Sequence, residues 1–299
     1  MVNPFVSFIV VTRNRSAELR AALDSIARQD YAPAEIVLVD NGSVDDTPGA
    51  VDAFARTHDH VRYHRLEENR GVSGGRNFGI QAARGEILVS IDDDAVLLDS
   101  GATARIVERF LADPSIGVLT FKIVGPSGEV RPREFPTFNR ALDPDVEFET
   151  SHFLGGGHAI RRQVHETVGL YVEHFFFWLE DLEVSWRVLD AGFRIVYFPS
   201  VTVMHMQVPS ARLPRSTSVI RELENRFEMN VRHLPWRYVL SQHLIRMGYA
   251  LLLLKGNPLP LARHVIWCAQ RLPGLLSVRR CVRRDTLDRF RRNHGRLLY

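Results

Sequence analysis

Along the first two-thirds of the chain, short apolar runs alternate with stretches of helical period. Phe5–Val11 is one such run, and after it Leu19, Ala22, Leu23 and Ile26 fall on a single helical face that Ser16 is expected to cap. Glu35–Val39 reads as a second strand ending at Asp40, and Thr47–Arg56 as the next helix. Val61–His64, a helix over Gly75–Ala83 and the strand Glu86–Ile91 continue the series, followed by a helix over Ala102–Ala112 and a strand over Gly117–Val124. Strands that are apolar throughout, separated by helices, predict an α/β fold with a mostly parallel central sheet and helices on both faces. Residues 125–150, rich in proline, charge and turn formers, read as a hairpin or mobile loop. Glu180–Ala191 has helical period, Arg194–Tyr197 and Val201–Met204 are short strands, and beyond about residue 215 the pattern is helical.

The polar residues that follow the strands are therefore expected along one edge of the sheet, where ligands of open α/β folds collect. Thr12-Arg13-Asn14-Arg15 follows the first strand, Asp40-Asn41-Gly42-Ser43 the second, and Asp92-Asp93-Asp94 the strand that ends at Ile91. Asp92 and Asp94, two residues apart, point to the same side of an extended segment and suit a shared Mg²⁺ or Mn²⁺ bound with substrate phosphates. An acidic turn capping a helix is the plainer reading of the same residues. Asp40 suits a hydrogen bond from a pyrimidine N3–H, with backbone of residues 10–12 reading the rest of the base; alone, it reads more readily as a helix-entry Asp in an Asx turn. Arg70-Gly71-Val72-Ser73-Gly74-Gly75-Arg76 opens a helix through glycines. Close backbone approach, a positive helix end and the planar fork of Arg76 suit phosphate oxygens. Phe175-Phe176-Phe177-Trp178-Leu179 runs into Glu180-Asp181, and apolar neighbours raise carboxylate pKa values as a general base requires. Favourable helix-dipole placement explains the same pair without catalysis. His205 ends another apolar strand; a lone histidine there is more often structural, but its order after the acidic motifs makes it a credible third metal ligand.

In this order the motifs resemble glycosyltransferase family 2, inverting enzymes of the Rossmann-like GT-A fold, and in particular its bacterial rhamnosyltransferase-like and galactofuranosyltransferase-like branch. The resemblance runs from Ser7 to His205. It is carried by Ser7–Asn14, Val39–Thr47, Asn69–Asn77, Ile91–Asp94, Gly155-Gly156-Gly157, Trp178–Arg187 and Val203–His205. It implies a nucleoside-diphosphate-sugar donor, held at the base by Asp40 and at the diphosphate by Arg76. Thr12, Arg13, Asn14, Arg70, Asp92 and Asp93 complete that donor side. It further implies a metal on Asp92, Asp94 and His205, and Asp181 as catalytic base beside Glu180. Gly155–Gly157 and Trp178 would border a carbohydrate, lipid-linked or other hydroxyl acceptor. Where the family often has an Asp-Leu pair one turn later, this chain has Glu183-Val184. A nucleotidyltransferase would share the sheet and the metal acids but needs a glycine-rich, Lys-containing loop, and this chain has only Lys122 and Lys255. A catalytically dead sugar-nucleotide-binding relative is disfavoured by the intact Asp92, Asp94, Asp181 and His205.

Charge divides the chain in two. Residues 212–299 hold 18 of 38 Lys+Arg but 5 of 35 Asp+Glu, a net +13 that leaves −10 on residues 1–211. The division predicts a catalytic domain over 1–211 and a basic, amphipathic helical segment over 212–299. Basic and apolar residues interleaved over 240–284 read as an interfacial membrane segment, giving a cytoplasmic enzyme peripheral on the inner face of the cell membrane. Packing on the catalytic domain, or on a second subunit as a homodimer, carries nearly equal weight. Nucleic acid is disfavoured, because the segment has no recognisable binding fold. Two cysteines, Cys268 and Cys281, are too few for a disulfide framework and fit a reducing compartment. No secretory signal and no spanning stretch are expected.

Overall fold

Strand β1 (Val6–Thr12) is buried along nearly its whole length, and its side chains divide by a period of two. Val6, Phe8 and Val10 join one apolar cluster and Ile9 another on the opposite face, with Val11 packed against the second. The computed structural model describes residues 3–207 and 215–297. Strands β2 (Ala34–Asp40) and β3 (Val61–Arg65) lie to one side of β1, and β4 (Ile87–Ile91) to the other, all parallel. The chain therefore reverses its direction of travel across the sheet at β1, the arrangement that opens a crevice at the carboxyl ends of the strands.

Beyond β4 the pairing changes. The full order is β3-β2-β1-β4-β8-β6-β9-β5, with β5 (Ala95–Leu97), β6 (Ile116–Val124), β8 (Gly157–Arg161) and β9 (Arg194–His205). The two-residue β7 (Phe148–Glu149) pairs with β9. β8 runs antiparallel to both β4 and β6, while β6 and β9 are parallel. Parallel pairing thus holds in the first half and the sheet is mixed in the second. β9 is one strand rather than the two expected, because a register irregularity opposite Phe121 and Lys122 absorbs the Pro199 break.

Helices α1 (Ser16–Ala27), α2 (Thr47–Ala55) and α4 (Ala102–Ala112) cover one face. Helices α3 (Gly71–Ala82), α5 (Arg162–Val168) and α6 (Glu180–Asp190) cover the other. On α1 the buried residues include the expected Leu19, Ala22, Leu23 and Ile26, but Ser16 is helical and makes no cap; Arg15 is the N-cap, without a side-chain capping bond. α3 begins one turn earlier than its period suggests. Its glycines sit inside the helix, where a Cβ on Gly75 would lie 2.5 Å from Val11 Cγ1 and one on Gly79 2.5 Å from Ile9 Cγ2. Gly75 and Gly79 let α3 lie directly on β1, a packing role.

Helices α7 (Arg215–His233), α8 (Trp236–Leu253), α9 (Leu259–Ser277) and α10 (Arg284–Arg292) complete the chain. The expected boundary at 211/212 lies outside the described residues. α7 and α10 pack on α6 and β7: His233 Nε2 lies 2.8 Å from Glu183 Oε1, Arg289 Nε donates to Glu149 Oε1 at 2.9 Å, and Phe290 stacks on Trp186 at 4.0 Å. Part of the basic excess is therefore matched to acids of the −10 half. No described helix is long and apolar enough to cross a membrane.

Candidate active site

The register between β5 and β9 builds one corner of the site. Asp92–Asp94 connect β4 to β5, Ala95 lies opposite His205, and Met206 N–H donates to Asp94 O at 3.0 Å. This brings His205 Nε2 to 3.2 Å from Asp94 Oδ1, and ligand atoms of Asp92, Asp94 and His205 all lie within 4.8 Å of one another. Two carboxylates and an imidazole suit a hard or borderline divalent cation. His205 Nδ1 sits 2.6 Å from Glu134 Oε1, and an ionised carboxylate only accepts, so Nδ1 carries the proton. Gln207 Nε2 donates to the same Glu134 oxygen at 2.8 Å. Burial opposes charge on His205, but Asp94 and Glu134 outweigh it and raise its pKa to about 10. A metal would displace that proton from Nε2.

Asp93 is not part of this corner. It pairs with Arg15 Nη1 at 2.6 Å, and the same guanidinium reaches Asp94 Oδ2 at 3.1 Å. Burial pushes the Asp93 carboxyl up to about 6, against the pull of Arg15.

Arg76, on α3, joins that corner to the next. Its Nη2 donates to Asp92 Oδ1 at 3.0 Å and to Gly155 O at 2.8 Å, and its Nη1 to Glu180 Oε1 at 3.1 Å. The side chain is buried, and the carboxylates around it raise its pKa despite the burial. The guanidinium is thus occupied by protein acceptors instead of standing open to a diphosphate. Asp181 lies half-buried on the far side of Gly155, accepting from Gly155 N–H at 3.2 Å and from Leu182 N–H at 2.7 Å. Burial raises the pKa of both Glu180 and Asp181.

Gly155 and Gly156 lie between these groups, where an added Cβ would be in tight contact at Gly155 and in ordinary van der Waals contact with Asp92 at Gly156. A Cβ on Gly155 would lie 3.0 Å from Arg76 Nη2, and one on Gly156 3.5 Å from Asp92 Oδ2. Gly157 is already the first residue of β8. Trp178 and Leu179, just before α6, hold left-handed backbone at φ 78° and 68°, a conformation that costs non-glycine residues of order 1–3 kcal/mol. Asn225 of α7 pins this turn, donating through Nδ2 to Phe177 O at 3.0 Å and Trp178 O at 2.8 Å. Trp178 itself is exposed.

The third corner is formed by the loops after β1 and β2. Asp40 is fully buried; its Oδ1 accepts from Ser43 N–H at 2.8 Å, the Asx-type turn, and its Oδ2 accepts from Tyr63 Oη at 3.0 Å. Asn14, at φ 55°, ties the two loops by donating N–H to Ser43 Oγ and accepting from Val44 N–H. Asn41 holds the entry to α3, accepting from Arg70 N–H and donating to Gly71 O, each at 2.9 Å. Thr12 is buried, whereas Arg13 and Arg70 are exposed. The structure therefore brings Asp92, Asp94, His205, Arg76, Gly155, Gly156, Glu180 and Asp181 into one connected set, with Asp40 and Asn14 in the adjoining loops. Glu134 and Asn225 were not singled out from sequence. Glu134 sits in an aperiodic Pro-rich loop and Asn225 in a different helix, and neither position carries a local motif.

The profile of Glycosyl transferase family 2 matches residues 7–169, more than half of the chain. The chain belongs to glycosyl transferase family 2. The enzyme is 37% identical over 108 residues to the GalNAc(5)-diNAcBac-PP-undecaprenol beta-1,3-glucosyltransferase of Campylobacter jejuni, covering 36% of this chain and 34% of that protein. It is 31% identical over 115 residues to the poly-beta-1,6-N-acetyl-D-glucosamine synthase of Staphylococcus epidermidis, covering 38% and 27%. The match spans about a third of the length of these relatives or less. Among solved structures, a mannosyltransferase from Pyrobaculum calidifontis in complex with GDP-Man and Mn²⁺ aligns over 98% of this chain and 85% of its own, at TM-score 0.59 and 22% identity. GalNAc-T7 with UDP, GalNAc and Mn²⁺ aligns over 82% and 51%, at TM-score 0.65 and 18% identity. These likenesses give the glycosyltransferase its GT-A fold. The family profile ends before Glu180, Asp181 and His205.

Proposed function

We propose that this glycosyltransferase moves a sugar from a nucleoside-diphosphate donor to an acceptor hydroxyl in one inverting displacement, with Mn²⁺ or Mg²⁺ on Asp92, Asp94 and His205. The carrying observation is the bridge through Arg76 and Gly155, which sets a metal-competent cluster beside a carboxylate of raised pKa. Relatives named for sugar transfer, and neighbours crystallised with nucleotide and Mn²⁺, support the same reading. The bound cation would supply charge stabilisation for the departing nucleoside diphosphate.

The chain's own residues do the rest. Asp181 accepts the acceptor's proton as its oxygen attacks C1. Of the two acids it is the one left accessible, since Glu180 is buried and paired with Arg76. The Gly155 and Leu182 amides fix its carboxylate. Arg76 holds Asp92 and Glu180 in place, so its charge reaches the diphosphate through position rather than direct grip. Asp40, Asn14, Thr12 and the exposed Arg13 and Arg70 flank the nucleotide. Gly155–Gly157 and Trp178 border the acceptor, a carbohydrate or a lipid-linked glycan, the latter supported by the undecaprenol-linked substrate in the name of the Campylobacter relative. Residues 1–211 make up the transferase domain, and the helices α7 to α10 of the 212–299 segment brace it.

A panel of nucleotide sugars, assayed for hydrolysis and transfer with Mn²⁺, with Mg²⁺ and with excess EDTA, tests the reading. One or more donors should turn over with metal and none with chelator; full activity in EDTA would contradict the metal assignment.

A further inference from the structure

Helices α8 and α9 both pack on α7, through inward residues such as Val239 and Ala250 on α8 and Leu261 and Leu275 on α9. Their outer faces are apolar and uncovered. Leu240 and Leu244 lie one turn apart on α8, 60% and 69% exposed, and Leu252 near its end is 76% exposed. Across the connecting turn, Leu259 and Ile266, two turns apart on α9, are 55% and 58% exposed. Single exposed leucines are ordinary, but a row of them along two adjoining helices marks an interaction surface.

Charge says what covers it. Between Met229 and Arg284 the sequence has ten Arg or Lys and no Asp or Glu. Arg237 at the start of α8, Lys255 in the turn and Arg263 on α9 are all exposed around the apolar row. A second copy of the chain docking by the same face would set cation against cation. A surface that is apolar beneath and anionic above matches both features, and that is the interface of a bilayer carrying anionic lipid.

We propose that the α8–α9 hairpin lies in the headgroup layer of an anionic membrane, with Leu240, Leu244, Leu252, Leu259 and Ile266 inserted and Arg237, Lys255 and Arg263 on lipid phosphates. This deepens the reading of the acceptor as lipid-linked, but the docking stands on the surface itself and is measured without any sugar transfer. α7 carries both the hairpin and Asn225, which pins the Phe177–Trp178 turn before Asp181. Docking would therefore bring the bilayer within one helix layer of the proposed acceptor side.

The test is co-sedimentation of the full chain with vesicles of phosphatidylcholine alone and of equimolar phosphatidylcholine and phosphatidylglycerol. Binding to the anionic vesicles only is expected. Lys255→Gln and Arg263→Gln should each weaken it about fivefold. Leu244→Glu with Leu252→Glu should weaken it at least about tenfold and remove the part that persists in high salt. Thermal unfolding of these surface variants should match that of the unaltered protein, so that lost binding is not lost folding. The proposal is overturned if the full chain ignores anionic vesicles or if the leucine variants bind as well as the parent. It is overturned equally if light scattering shows a dimer that Leu252→Glu dissociates.

Discussion

Glu134 Oε1 holds His205 Nδ1 at 2.6 Å, across 71 residues of sequence. A carboxylate behind a ligand histidine fixes its tautomer and aims the other nitrogen, here Nε2, at the neighbouring Asp94. At the proposed metal site, removing it should be felt in cation binding rather than in the fold.

Glu134→Ala is therefore expected to weaken Mn²⁺ binding by about 10–100-fold, the usual effect of losing such a partner. Glu134→Gln keeps an acceptor for the Nδ1 proton and should fall between the two. Calorimetric titration of Mn²⁺ into each protein measures this; unchanged affinity in Glu134→Ala would remove Glu134 from the site.

Glu183 supplies a pH prediction. Burial alone would raise its pKa, but His233 and Arg187 outweigh it and bring it down to about 2. A carboxyl lowered on folding stabilises the native state above its unfolded pKa, and that stability is lost as pH falls through the folded value. The window is therefore roughly pH 4.5 down to 2, and the contribution on the order of 3 kcal/mol. Glu183→Gln should flatten the acid side of the urea-derived stability curve over that window. It should also cost roughly 3–5 kcal/mol at neutral pH by breaking a buried pair. An unaltered acid profile would show that the α6–α7 contact does not hold the C-terminal helices to the domain.

Gly79→Ala separates packing from propensity. In a free helix the change would stabilise by about 1 kcal/mol. Here the new methyl meets the stiff Cγ2 of Ile9 at 2.5 Å, and overpacking of about 1–3 kcal/mol should win. Urea unfolding should show net destabilisation; a gain would mean α3 can lift off β1 freely.

The parallel half of the sheet was legible because β1, β2 and β4 are buried on both faces and so read as unbroken apolar runs. β8 was not, since Gly157-His158-Ala159-Ile160-Arg161 has too few apolar residues to mark a strand, and the three-residue β5 gives no period at all. For the site, the acids announced themselves by sitting at strand ends. What escaped was everything supplied from a distance: Arg15 neutralising Asp93, Glu134 orienting His205, and Asn225 pinning the turn before Asp181. Each is an isolated polar residue whose meaning comes from a tertiary contact. Arg76 was recognised as an actor, but its partners are carboxylates, which a glycine-rich helix entry does not reveal.

In the proposed mechanism Asp181 takes the acceptor's proton while contributing little to holding the donor. Asp181→Asn preserves shape and hydrogen-bond reach but removes the basic oxygen, so binding and transfer should part company. Measured on one preparation, the dissociation constant for the nucleoside diphosphate should stay within about twofold, while the transfer rate falls by about 10²–10⁴. Transfer by Asp181→Asn at the parent rate would contradict the account and move the base to another carboxylate.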